Sequence, residues 1–138
     1  MFSGLSMRGF EEHLEIARHY LKEAYELLER GDLYDAAEKL WATVKHATTA
    51  LTTAVLKEAA PPKGASWRSF VKEAFTKAGL GEEEASKWAS YYIDVRDRLH
   101  GGCFYGLMYE EEEHKPLMER AGEYVELVGK LLRTTLRT

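Results

Sequence analysis

Apolar side chains recur along this chain at intervals of three and four, the spacing of helices that each bury one face. The first run, Phe10, Leu14, Ala17, Leu21, Ala24 and Leu28, predicts a helix reaching about Arg30. Gly31 suits the left-handed end of a helix and Asp32 the N-cap of the next, so Gly31-Asp32 reads as a tight reversal between antiparallel neighbours. A second run, Leu33, Ala36, Ala37, Leu40, Trp41, Val44, Ala47, Leu51 and Val55, carries helix two to Glu58 or Ala59. Pro61-Pro62 ends it in a loop, because consecutive prolines remove donors and push the preceding residue out of the helical region. Ser66 is placed to cap a shorter third helix, with Trp67, Phe70, Val71 and Phe75 inward and an end at Gly79. Glu82-Glu83-Glu84 follow Gly81, setting acid where the helix dipole favours it, and Ala85, Trp88, Tyr91, Tyr92, Val95 and Leu99 form the stripe of helix four. Gly101-Gly102 is expected to stop that helix. The apolar, aromatic stretch from Cys103 to Tyr109 then reads as a loop folded back on the bundle. Glu110 to Glu113 open a fifth helix with Leu117, Met118, Ala121, Tyr124, Val125, Val128, Leu131 and Leu132 inward.

The pattern predicts an all-α fold, a five-helix up-and-down bundle with a long N-terminal helical hairpin, forming a single domain over residues 1–138. Composition agrees: 45% hydrophobic and 30% charged residues sit in the ordinary globular range. No run approaches the ~18 apolar residues of a membrane span, so no membrane role is expected. Met1 to Arg8 is too short and polar for a signal peptide, which predicts a cytoplasmic location. Cys103 is the only cysteine, so neither an internal disulfide nor a thiolate metal cage can form. A net charge of −4 argues against broad, sequence-independent affinity for nucleic acid and leaves room for a local basic site.

The candidate chemistry lies at the end of helix four. Arg96 and His100 are four apart and share a helical face beside the apolar stripe. A guanidinium offers a fixed positive fork for phosphate, and an imidazole titrating near neutrality serves as general base or acid. With a substrate 2′-hydroxyl, the two suit metal-free RNA cleavage. Asp97 and Arg98 flank them, placed to orient the imidazole or hold a second phosphate. The same residues also read as an ordinary helix end, where Arg and His complement the dipole and Asp94 pairs with Arg98 in solvent. Phe104, Tyr105 and Tyr109 read either as a platform for stacking a base or as packing area. His13 and His19 do not share a face, and His46 and His114 have no partner ligand at a helical spacing, so no metal site is expected. The run Glu110 to Glu113 reads as a solvated helix start. Thr43, Thr48, Thr49, Thr52 and Thr53 suit either a close-packed dimer face or hydroxyls bonding back to helix carbonyls.

The Gly31-Asp32 hairpin followed by Ala36-Ala37-Glu38-Lys39-Leu40-Trp41, the segment Arg96-Asp97-Arg98-Leu99-His100-Gly101 and the final amphipathic helix together resemble the HEPN superfamily, more specifically its archaeal paralogous branch. The resemblance runs from helix one to helix five. It implies a helical bundle that forms a homodimer and, in many members, a metal-independent endoribonuclease of a toxin-antitoxin or defence system. No cofactor is implied. Arg96 would be the motif Arg, Asp97 its polar follower and His100 the motif His, with Arg96, Arg98 and Tyr105 meeting the nucleic acid or nucleotide. The interval from Arg96 to His100 is one residue shorter than the family's shortest. Branches with eroded motifs imply the alternative: a non-catalytic module binding nucleotide, RNA or a nucleotidyltransferase antitoxin partner. The hairpin alone also resembles one tetratricopeptide repeat, but no second copy follows at the period of about 34 residues such arrays need.

Overall fold

In the computed structural model, which describes the backbone of residues 2–105 and 109–135 and the side chains of 9–102 and 109–135, every regular element is a helix. The order is α1 (Phe2–Glu29), α2 (Leu33–Leu56), α3 (Trp67–Lys77), α4 (Glu82–Asp94), a π-helix (Val95–Tyr105), α5 (Glu111–Glu119) and α6 (Ala121–Thr135). With α4 running into the π-helix and α5 into α6, these are the five helical segments of the predicted bundle.

The turns form where the local chemistry places them. Gly31 adopts φ +80°, and the Asp32 carboxylate accepts from Asp35 N–H, so α1 reverses directly into α2. Ser66 accepts from Ser69 N–H at the start of α3, and Gly79 leaves that helix at φ +116°. α2 ends earlier than its apolar pattern suggests, at Leu56. Lys57 takes the left-handed conformation there, φ 60°, while its ammonium donates to the Ala54 carbonyl at 2.9 Å. α1 starts earlier, at Phe2 rather than Phe10. Periodicity marks where a helix packs, not where its hydrogen bonds begin.

α2 is the hub of the bundle, packing against α1, α3, the π-helix and α6. Many of the buried residues of α1 and α2 are small, among them Ala17, Ala24, Ala36, Ala37, Ala47 and Ala50. Three of its threonines face inward too. Thr43, Thr48 and Thr52 are buried, and the hydroxyls of Thr43, Thr48, Thr49 and Thr53 bond back to carbonyls one turn earlier. Phe70, Val71 and Phe75 of α3, Trp88, Tyr91 and Tyr92 of α4, Val95 and Leu99 of the π-helix, and Tyr124, Val125, Val128 and Leu132 of α6 complete one core.

Two expectations are corrected. Gly101-Gly102 does not stop helix four, because the chain continues through both glycines in π winding to Tyr105. In that winding each amide pairs five residues back. Accordingly the Arg96 carbonyl lies beside Gly101 and the Asp97 carbonyl beside Gly102. The expected loop from Cys103 thus begins as helix; residues 106–108 lie outside the described residues, and Tyr109 packs on the core as expected. Helix five is not continuous either. It carries Pro116 and breaks at Arg120, where the Tyr91 and Tyr25 hydroxyls donate to the Leu117 and Met118 carbonyls at 2.7 and 3.3 Å. Buried carbonyls at such a break need partners, and the two tyrosines supply them.

Candidate functional site

Val95 and Leu99 are buried and fix the π-helix against α2, which leaves Arg96, Asp97, Arg98 and His100 along its outer side. α2 supplies the other half of the site. Glu38 and Trp41 are three apart and share a helical face. Glu38 Oε1 lies 2.8 Å from His100 Nδ1, and the Trp41 ring lies 5.5 Å from the imidazole, tilted by 30°. The His100 side chain keeps about a third of its surface in solvent, 32%. Behind it an aromatic column runs from Trp41 to the buried Tyr92 and on to the half-buried Trp67, with centroid spacings of 5.6 and 5.8 Å. Burial pushes the Tyr92 hydroxyl up to about 12, against a smaller opposing pull from the Arg96 charge. Tyr92 is therefore a neutral wall of the site at physiological pH.

The cations are distributed differently. Arg96 Nε donates to Asp97 Oδ1 at 3.0 Å, an exposed pair worth at most about 1 kcal/mol and readily exchanged for a better anion. Arg98 reaches Glu113 Oε1 of α5 at 3.0 Å, not the Asp94 that helical spacing suggested. Glu113 thereby ties α5 to the π-helix and is more than a solvated helix start. The Tyr105 side chain lies outside the described residues.

The structure thus places the sequence-predicted residues on one π-helix and separates their partners. Asp97 sits on Arg96, while the imidazole is held by Glu38, which in the sequence stands out only as one position of the segment Ala36 to Trp41. Trp41 is part of the core, as its place in the apolar run of α2 predicts. Its spacing from Glu38 is the signal that puts both on the surface facing His100. Glu38 also lines an open groove of about 430 Å³ along the hairpin with Tyr20, Leu27 and Lys39.

The remaining histidines do other work. His114 is buried at 4% exposure, accepts from the Glu110 N–H at 2.8 Å and stacks on Tyr109, anchoring the start of α5 beside Gly102. His13 and His46 had no partner at a helical spacing, but α1 and α2 bring their Nδ1 atoms to 2.9 Å across the hairpin. Among the described residues no group of three or more His, Cys, Asp or Glu side chains is placed to hold a metal ion. No helix there is long and apolar enough to cross a membrane.

A comparison with protein families matches residues 12–125 to the archaeal PaREP1/PaREP8 family, which covers both halves of the site. No curated protein and no solved structure matches the chain.

Proposed function

Because the chain belongs to the archaeal PaREP1/PaREP8 family, we propose that this family member is HEPN-like and acts as a metal-independent endoribonuclease of a toxin-antitoxin or defence system. The observation that carries the reading is the 2.8 Å contact between Glu38 and His100, formed one turn from Arg96. A carboxylate on Nδ1 fixes the ring and its tautomer and assigns proton transfer to Nε2. His100 takes the proton of a ribose 2′-hydroxyl, the 2′-oxygen bonds to the adjacent phosphorus, and the bond from phosphorus to the 5′-oxygen breaks; that oxygen takes a proton from water, leaving a 2′,3′-cyclic phosphate, a 5′-hydroxyl end and a protonated His100 that returns its proton to solvent. Arg96 exchanges Asp97 for the scissile phosphate and balances its growing charge. The π winding bears on the short Arg-to-His interval. With more than four residues in each turn, Arg96 and His100 fall just short of one full turn and stay on one side of the helix. A homodimer would set two such surfaces face to face, and light scattering that finds only monomer at high concentration removes that composite cleft.

The direct assay is labelled RNA incubated in EDTA with the wild type, His100→Ala, Arg96→Ala and Glu38→Gln. Cleavage by the wild type, reduced on the order of 10²-fold or more in the first two variants, is the expected result. Cleavage that survives both removes the site.

One observation favours a second reading. The exposed Arg96–Asp97 pair, 3.0 Å apart, can exchange for an anion without any proton transfer at His100, which suits a non-catalytic surface that binds nucleotide, RNA or a nucleotidyltransferase partner. RNA binding that depends on Arg96 without cleavage of any RNA selects it.

A further inference from the structure

Arg18 of α1 and Arg133 of α6 converge on the seam between their helices. The point a Cβ would occupy at Gly129 lies 2.8 Å from Arg18 Nη2, 3.5 Å from Arg133 Nη1 and 3.8 Å from Leu14 Cδ2. Gly129 itself is buried, while both arginines are exposed. Glycine in the middle of a helix costs stability, and here its missing side chain is what lets the Arg18 head group lie against the α6 backbone.

Among the described residues, neither guanidinium has a carboxylate within 4.0 Å, a hydrogen-bond partner or an aromatic face beside it. Most other described arginines differ: Arg96 and Arg98 hold carboxylates, Arg68 a serine hydroxyl, and Arg120 lies over aromatic faces; Arg30 also lacks a partner but stands alone at the α1–α2 turn, facing no second cation across a groove. Two like charges turned toward one point repel unless an anion lies between them. Paired guanidinium forks match the oxygens of a phosphoryl group. The groove they border holds about 380 Å³, and Phe10, Leu14 and Leu132 give it an apolar floor. Glu11 stands on its rim and disfavours a ligand with further negative charge.

We propose that this groove binds a small organic monophosphate of nucleotide size, its phosphoryl group between Arg18 and Arg133 and its less polar part over Phe10, Leu14 and Leu132. The site lies on α1 and α6, not on α2 and the π-helix, and stands whether or not the chain cleaves RNA.

The test is calorimetric titration of the full chain in low-salt buffer with three probes: inorganic phosphate, adenosine 5′-monophosphate and a 5′-phosphorylated tetranucleotide. The mononucleotide is expected to bind more tightly than inorganic phosphate, and Arg18→Ala and Arg133→Ala each weaken it at least tenfold with unchanged helical circular dichroism. Gly129→Ala also weakens binding without lowering the melting temperature, because the new methyl displaces the Arg18 head group. Glu11→Gln tightens it. Absence of wild-type binding at millimolar mononucleotide overturns the proposal, as does wild-type affinity in both arginine variants. Tighter binding of the tetranucleotide assigns the phosphate to an RNA end and overturns the small-molecule assignment. Binding lost in His100→Ala but kept in Arg18→Ala places the anion in the other site and likewise overturns it.

Discussion

Among the described residues Tyr124 is the largest fully buried side chain, and burial holds its hydroxyl far above the ordinary tyrosine range. That hydroxyl lies 2.6 Å from Thr48 Oγ1, which itself donates to the Val44 carbonyl at 2.7 Å. Tyr124 is therefore the donor of the pair. Thr48→Val strands a buried hydroxyl and is expected to cost about 1–3 kcal/mol in urea denaturation, more than Tyr124→Phe, which leaves Thr48 its carbonyl. The His13–His46 contact gives a pH-dependent counterpart. Burial first, then the charges of His13 and Lys45, hold His46 below its ordinary value. The unfolded chain then binds the proton more tightly than the folded one. The stabilisation is full above about pH 6.5 and is lost as pH falls through the lowered folded value. Melting temperatures are expected to drop between pH 7 and pH 5, and to drop less in His46→Asn. Neither contact was legible in the sequence. Each joins residues far apart along the chain, 33 positions for the histidines and 76 for Thr48 and Tyr124, and no periodicity within one helix reports such a meeting.

At the scale of elements, the caps were legible because their chemistry is local. Asp32, Ser66 and the left-handed Gly31 each sit where short-range stereochemistry requires them. Lys57 is the exception, since a lysine occupies a left-handed helix end that glycine adopts without penalty. Lys57→Gly is expected to stabilise the chain by up to about 1 kcal/mol in thermal melts, less what the lost ammonium contact to Ala54 returns. The glycine pair misled for a related reason. Intrinsic propensity is a weak preference that tertiary packing overrides. Val95 and Leu99 hold the π-helix on α2, and His114 packs beside Gly102. A methyl at Gly102 would meet the Asp97 carbonyl no closer than 3.7 Å, and one at Gly101 the Arg96 carbonyl no closer than 3.9 Å. Gly101→Ala and Gly102→Ala are thus expected to fold with unchanged or higher melting temperature. A fall of several degrees in either would mean that the winding depends on glycine itself.

For the molecule as a whole, the bundle was readable because five amphipathic stripes need one another's faces, whichever partners they take. The site was readable only in half. The π-helix residues stand together in the chain, but Glu38 lies 62 positions from His100 and reaches it only because α2 is the hub. The net charge of −4 sets how RNA would be held. With about two phosphates neutralised at the cleft, the slope of log affinity against log salt is expected near about −1.4, shallow for an RNA-binding protein. A much steeper slope, measured by filter binding, would indicate a wider basic surface than this chain presents.

The imidazole lying over Trp41 also makes the site optically self-reporting. An indole face responds to a charge arriving beside it, so an anion that enters between Arg96 and the imidazole alters the emission of Trp41 without any attached dye. Three tryptophans contribute to the signal, and Trp41→Phe isolates the share that belongs to the site.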